Sequence, residues 1–242
     1  MLAPKINQKH EVLCSITTAG DVATPPMDWR RAIPATFDLS LNRLSIFLTT
    51  IGYQERQEFY ALLRERQRRG AIVIPFVHAR SDMLPDEYRM LMAEFGTERF
   101  NLHPVRLMPL PSGGLPEDLC ARTYIENIYG LLESDLQGFA GICLDVSHLE
   151  LTRRLHPEQY PELCRLAETY PIGANHISAY PAEKPDGKKS EEQHRYSSLS
   201  DFDYLDRYPL AFFGQYVAIE LTNELSEQLP VKALLERHLS IV

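Results

Sequence analysis

Six short apolar runs in this chain carry, at or near their ends, a side chain able to bind a metal ion or move a proton. They are residues 71–78 with His78, 99–103 with His103, 123–127 with Glu126, 141–145 with Asp145, 172–178 with His176 and 216–221 with Glu220; His148 follows Asp145 by three residues. A lone carboxylate inside GICLDVSH or YVAIEL is an expensive core residue, because taking a charge out of water is costly unless something compensates it. Carboxylates and imidazoles facing one space repel or mis-titrate until a cation sits among them, and a divalent ion accepts this mixture of nitrogen and oxygen ligands. Asp145, His176 and Glu220 therefore read together as metal ligands. His148 reads as a ligand or a substrate contact, and His103 taken alone as a hydrogen-bonded structural residue. His10 near the terminus and His156 and His238 on helices read as structural. Glu192 and His194, two residues apart, either complete a further metal site or belong to a solvated charged loop.

The elements that must position these side chains alternate. Two further apolar runs, 12–17 and 44–49, bring the candidate strands to eight. Helical patterns separate many of them: 53–69 ends at Gly70, 86–95 follows Pro85 and ends at Gly96, and 157–170 and 223–239 follow later strands, with a fragment at 134–139. Such alternation builds a parallel sheet, and eight repeats predict closure into a (β/α)8 TIM barrel spanning 1–242 as one domain. The rival is an open doubly wound sheet, which no GxGxxG turn after the first strand supports. In a barrel all strand C-termini open on one face, so the metal-capable residues converge there. Two connections are long. Residues 18–42 hold Pro25, Pro26 and Pro34, so a shortened first helix is expected; residues 179–200 are polar and charged, as expected of a binding loop. Lys184, Lys188, Lys189 and Arg195 on that loop could draw in an anionic group, though a solvated loop is the simpler state.

Bulk properties set limits. The chain has 242 residues, 44% of them hydrophobic and 24% charged, and a net charge of −8, so a broad basic surface for nucleic acid or anionic membrane is not expected. Its four cysteines form no CxxC pair and suggest no disulfide framework, which points to a reducing cytoplasm. No signal peptide and no apolar run near the ~20 residues of a membrane span are seen.

Taken in order, VIPFVHARSDML, FNLHP, YIENIYG, GICLDVSHL, GANHISAY and VAIELTN, between about 71 and 223, resemble the xylose-isomerase-like TIM barrel superfamily. That superfamily includes sugar isomerases and epimerases and the endonuclease IV group. The resemblance implies one divalent ion, Mn, Co, Mg or Zn, held by Glu126, Asp145, His176 and Glu220, and no nucleotide cofactor. In the isomerases two of these carboxylates shuttle a substrate proton while the metal polarises neighbouring oxygens, which makes Glu126 and Glu220 proton carriers and lets His148 orient the substrate. The endonuclease IV and ultraviolet-damage endonuclease groups add ligands that His78, His103, His148 and the Glu192–His194 pair resemble, although Asp is usual at the position of Glu192. There Glu126 would bridge two ions and the attack would fall on phosphorus.

Departures cut both ways. Isomerases of this kind commonly carry a Glu at the end of strand two, where this chain reads LSIFLTT. Against a DNA enzyme stand the acidic total and short loops: the stretch after strand two offers Tyr53 and Arg56, and the one after strand three offers Arg80, Met83 and Leu84, the last two able to wedge a duplex but more often found packing a helix. The sequence favours a metal-dependent isomerase, epimerase or related lyase acting on a sugar, sugar phosphate or polyol. A multi-metal phosphoester hydrolase is the alternative, and a non-catalytic metabolite-binding barrel comes third. A small sugar-like partner is preferred to nucleic acid, no membrane partner is expected, and the oligomeric state is left open.

Overall fold

The computed structural model describes residues 9–19, 26–128, 130–181 and 194–240. Its strands are β1 (Glu11–Leu13), β2 (Ser15–Thr17), β3 (Ser45–Phe47), β4 (Phe76–His78), β5 (Arg99–Leu102), β6 (Thr123–Glu126), β7 (Gly141–Asp145), β8 (Ile172–Ile177) and β9 (Tyr216–Ile219). All pairings are parallel, in the order β1-β9-β8-β7-β6-β5-β4-β3-β2. β1 and β2 are two halves of one run interrupted only at Cys14. One half pairs with the last strand and the other with β3, so the sheet closes on itself as the expected eight-stranded barrel. At that seam the peptide N–H and C=O of Ser15 are taken by the side chain of Gln228, at 2.8 and 2.9 Å, which leaves no open edge there.

The helices are α1 (Trp29–Asp38), α2 (Tyr53–Arg69), α3 (Pro85–Phe95), α4 (Glu117–Cys120), α5 (Val146–Leu155), α6 (Tyr160–Thr169) and α7 (Leu225–Leu239). α1 runs ten residues from its N-cap Asp28 and keeps Pro34 inside, against seventeen residues in α2. Its Trp29 packs on Phe59 of α2 at 5.3 Å between ring centroids. Three details differ from the sequence reading. The apolar run 71–78 pairs as a strand only over Phe76–His78, with a single bridge from Val73 to Arg43. The fragment at 134–139 is a 3-10 turn, Glu133–Leu136, rather than an α-helix. α5 was not foreseen, because β7 runs straight into it with no turn residue between them; Asp145 ends the strand and caps the helix.

Arg56 is not a surface residue available to nucleic acid. It is fully buried and holds α2 to α3 through Glu87 at 2.8 Å, with the half-exposed Asp82 at 3.1 Å. Met83 is likewise buried, which settles it as packing; Leu84 is about half exposed at the start of α3.

Inside the barrel, Leu13, Phe47, Phe76, Cys143, Ala174, Tyr216 and Ala218 form an apolar plug of their own. Below it Arg99 lies over the rings of Tyr124 and Tyr216, at 5.6 and 5.4 Å from their centroids, and bonds the carbonyl of Gly173. Gly173 is obligatory there: a Cβ would stand 2.2 Å from the Tyr124 ring. The plug closes the lower barrel, so the polar side chains above it face only the mouth.

Two outcomes follow for stability. Gly173→Ala forces the Tyr124 ring aside and should cost about 1–3 kcal/mol in urea unfolding. Glu150, on α5 with no side-chain exposure, accepts bonds from Arg153, Arg154 and Tyr208; burial pushes its carboxyl up, but those bonds outweigh it and hold it at about 2. A depressed carboxyl stabilises above its unfolded value of about 4.3, and that contribution fades as pH falls toward 2. Glu150→Ala should therefore cost about 3–5 kcal/mol at pH 7 and far less at pH 2.5, which a pH series of denaturant melts reads directly.

Candidate metal centre

The metal-capable side chains on or next to the strands owe their places to strand alternation, since inward-facing positions recur every second residue. Phe76 and His78 face inward on β4, Asn101 on β5, Tyr124 and Glu126 on β6, Cys143 and Asp145 on β7, Ala174 and His176 on β8. Glu220 follows directly on β9. His78, Glu126, Asp145, His176 and Glu220 are all buried, and His103 and His148 are partly exposed at the rim.

They meet around Glu126. Its Oε2 lies 3.3 Å from His176 Nδ1, 3.6 Å from His78 Nε2 and 3.8 Å from His103 Nε2, while its Oε1 lies 3.5 Å from His148 Nδ1. His176 Nδ1 is also 3.3 Å from Glu220 Oε2, and Asp145 Oδ2 is 3.6 Å from His148 Nδ1. Three sets of ligand atoms each fall within 4.8 Å of one another: His78, His103 and Glu126; Glu126, Asp145 and His176; His78, His176 and Glu220. These separations exceed the usual 2.7–3.2 Å of a hydrogen bond. They match the ~3.4 Å edge of a tetrahedron built on metal–ligand bonds of about 2.1 Å. Neither ring nitrogen of His78 or of His176 has a hydrogen-bond partner among the described residues. Buried imidazoles without hydrogen bonds, spaced as coordination edges, fit a divalent cation and fit a hydrogen-bonded core poorly.

The electrostatics agree. Burial drives the His78 imidazole down to about 3, against the pull of Glu126, so it is neutral at any ordinary pH, as a ligand has to be. Burial works against a charged His176 too, but Cys143 and Glu126 beside it hold its value well above the usual one. Burial would raise the Glu126 carboxyl, yet His176, His78 and His103 together keep it well below the carboxylate range. Glu220 is pulled to about 2, burial being outweighed by His176 and His194. A cation entering here has to displace the His176 proton, because only neutral imidazole ligates.

Other residues set the aim. The side chain of Asn127 accepts from the peptide N–H of Asp145 at 2.6 Å and donates to its carbonyl at 2.9 Å, clamping that residue from both sides. Asp145 Oδ1 caps α5 by accepting from His148 N–H at 2.9 Å, which places His148 one turn above the strand end. Thr222 binds the carbonyl of His194 through its N–H and its hydroxyl at 2.6 and 2.9 Å, and Ser178 Oγ lies 3.3 Å from His194 Nδ1. His194 is thereby brought to the rim. Glu192, with Lys184, Lys188 and Lys189, lies outside the described residues. His10 bonds the carbonyl of Gly214 and His238 pairs with Asp206, as expected of structural residues, while His156 stands at the edge of the mouth. Sequence reasoning missed Asn127 and Asn101, whose only signal was an amide inside or beside an apolar strand.

The mouth opens into a cleft of about 960 Å³, lined by the polar His78, His103, Glu126, His148, His194 and Glu220 and by the apolar Met108, Leu151 and Leu155. Among the described residues that line it there is no Lys or Arg. Arg80 lines an adjoining recess, where it is engaged with Asp82 and the carbonyl of Thr49.

No family model matches this chain, and no curated protein matches it. Among solved structures it is similar to an N-acetylneuraminate lyase from Mycoplasma synoviae (7% identity, 96% of this chain and 77% of that one, TM-score 0.46). It is also similar to a provisionally assigned xylose isomerase from Rhodospirillum rubrum (13%, 95% and 98%, 0.47) and to an HpcH/HpaI aldolase from Desulfitobacterium hafniense (11%, 97% and 95%, 0.44). These likenesses say nothing of the chemistry, and barrel closure is read from the strand pairing itself.

Asn127→Ala should loosen Asp145 and weaken metal binding about 10–100-fold, the usual cost of losing support behind a ligand. Competition with a chromogenic chelator measures it; unchanged affinity would remove Asn127 from the centre.

Proposed function

We propose that this chain is a metal-dependent phosphoester hydrolase in which Glu126 bridges two divalent ions. One observation carries the reading: Glu126 belongs to two ligand triads at once, with His78 and His103 on one side and with Asp145 and His176 on the other. A single-ion site has no use for the first triad. Charge supports the same count. Three ionised carboxylates, Glu126, Asp145 and Glu220, leave a net −1 with one divalent ion and +1 with two, and only the second state attracts a phosphate ester.

Bound there, the ions would supply Lewis-acid activation of water and of the phosphoryl oxygens. The donors are imidazole nitrogens and carboxylate oxygens, which suit Zn, Mn or Co better than a thiolate-seeking metal. The chain's own residues do the rest. Glu126 fixes the spacing between the two ligand sets, and Glu220 joins the second through His176. His148 and His194 stand at the rim, where they can orient substrate or hold a further ion. The apolar plug keeps water from below, and Leu151 and Leu155 offer a wall for the organic part of the ester. With no basic residue among the described lining, and an acidic chain, the substrate is a small phosphoester rather than duplex DNA.

A second reading is the isomerase. Glu126, Asp145, His176 and Glu220 also suffice for one ion, with Glu126 and Glu220 as proton carriers on a sugar-like substrate. β3 supplies no acid for it, since Phe47 faces inward there and packs against His176 at 4.7 Å.

Metal content decides between them. The hydrolase should carry two or three zinc ions per chain and cleave bis(p-nitrophenyl) phosphate. His78→Ala and His103→Ala should each lose an ion and more than about 100-fold in rate. One manganese or cobalt per chain, kept by both variants alongside aldose–ketose interconversion, would transfer the assignment to the isomerase.

A further inference from the structure

Asn101 faces inward on β5, directly opposite His78 in the register between β4 and β5, and is fully buried. Its Nδ2 donates to Glu126 Oε2 at 2.9 Å, while its Oδ1 has no hydrogen-bond partner among the described residues. The amide cannot be turned over: Oδ1 against Oε2 would set two acceptors face to face. The same barrel interior holds the cluster of Leu13, Phe47, Phe76, Cys143, Ala174, Tyr216 and Ala218. A buried amide with one satisfied end is a poor choice for stability, and an apolar side chain of the same size would serve the core better.

We infer that Asn101 is a positioning residue that fixes the plane of the Glu126 carboxylate, so that each oxygen keeps its own facing nitrogens. Oε2 faces His78, His103 and His176, and Oε1 faces His148. A carboxylate is otherwise free to turn about its terminal bond, and a partial turn swings both oxygens away from the nitrogens they face. The Asn101 N–H, a charge-assisted donor, occupies one lone pair of Oε2 and holds the plane. It also leaves a ligand-facing lone pair on each oxygen, as bridging requires. The inference rests on the bridged reading of Glu126 given above.

The test uses the metal-free protein and its titration with Co²⁺, comparing wild type with Asn101→Leu and Asn101→Ala. The expected result has opposite signs for fold and site. Metal-free Asn101→Leu melts at the same temperature as wild type or higher. It takes the first Co²⁺ with unchanged affinity, binds the second at least about tenfold more weakly, and shows an altered visible absorption at full loading. Asn101→Ala shows the same loss of the second ion. A metal-free Asn101→Leu that melts lower makes the residue a structural one and overturns the inference, as does wild-type affinity for the second ion in both variants. Uptake of a single Co²⁺ by the wild type sinks the bridged centre itself and this inference with it, an outcome told apart because it appears before any substitution is made.

Discussion

Glu126 is a buried carboxylate with four imidazoles within 4 Å of its oxygens, and the upper half of the barrel is arranged around the need to compensate it. A negative charge in this setting is costly to leave alone. Histidine protons meet the need only in part: burial keeps His78 neutral, while His176 stands between Glu126 and Glu220 and holds its proton strongly. The remaining demand is for positive charge at a point that several lone pairs share, which is the definition of a cation site.

The rest of the fold serves that requirement by separating an apolar floor from a polar mouth. Phe47 and Phe76 press on the His176 ring from below, at 4.7 and 5.7 Å between centroids, and His78 lies nearly parallel to it at 5.0 Å. Packed rings have few rotamers open to them, so the ligands are aimed before anything binds. A preorganised site of this kind spends no binding energy on ordering its ligands. Asn127, Thr222 and Ser178 extend the same support to Asp145 and His194.

The bridging role proposed for Glu126 would also account for where His78 and His103 stand. Their rings meet edge-to-face at 4.9 Å, with both Nε2 atoms turned to the same carboxylate oxygen. His103 Nδ1 lies 3.1 Å from the Met108 sulfur, which is consistent with a proton on Nδ1 and a lone pair on Nε2. Taken by itself, His103 had looked structural; only the neighbouring strands show what it faces.

How much of this was legible in the chain depends on range. Alternation of apolar residues, capping signals and the His, Asp or Glu at each strand end are local patterns, and they sufficed for eight parallel strands, a closed barrel and most of the clustered side chains. α5 escaped because a strand that ends on a helix cap leaves no turn to mark the change. The two asparagines escaped for another reason. Asn127 finds its partner 18 residues away and Asn101 finds its own 25 residues away, each across a strand register that local sequence does not encode. The amino-acid sequence determined which chemical groups reach the mouth of the barrel; the tertiary structure decided which oxygen meets which nitrogen, because that depends on how adjacent strands slide past one another when the sheet closes.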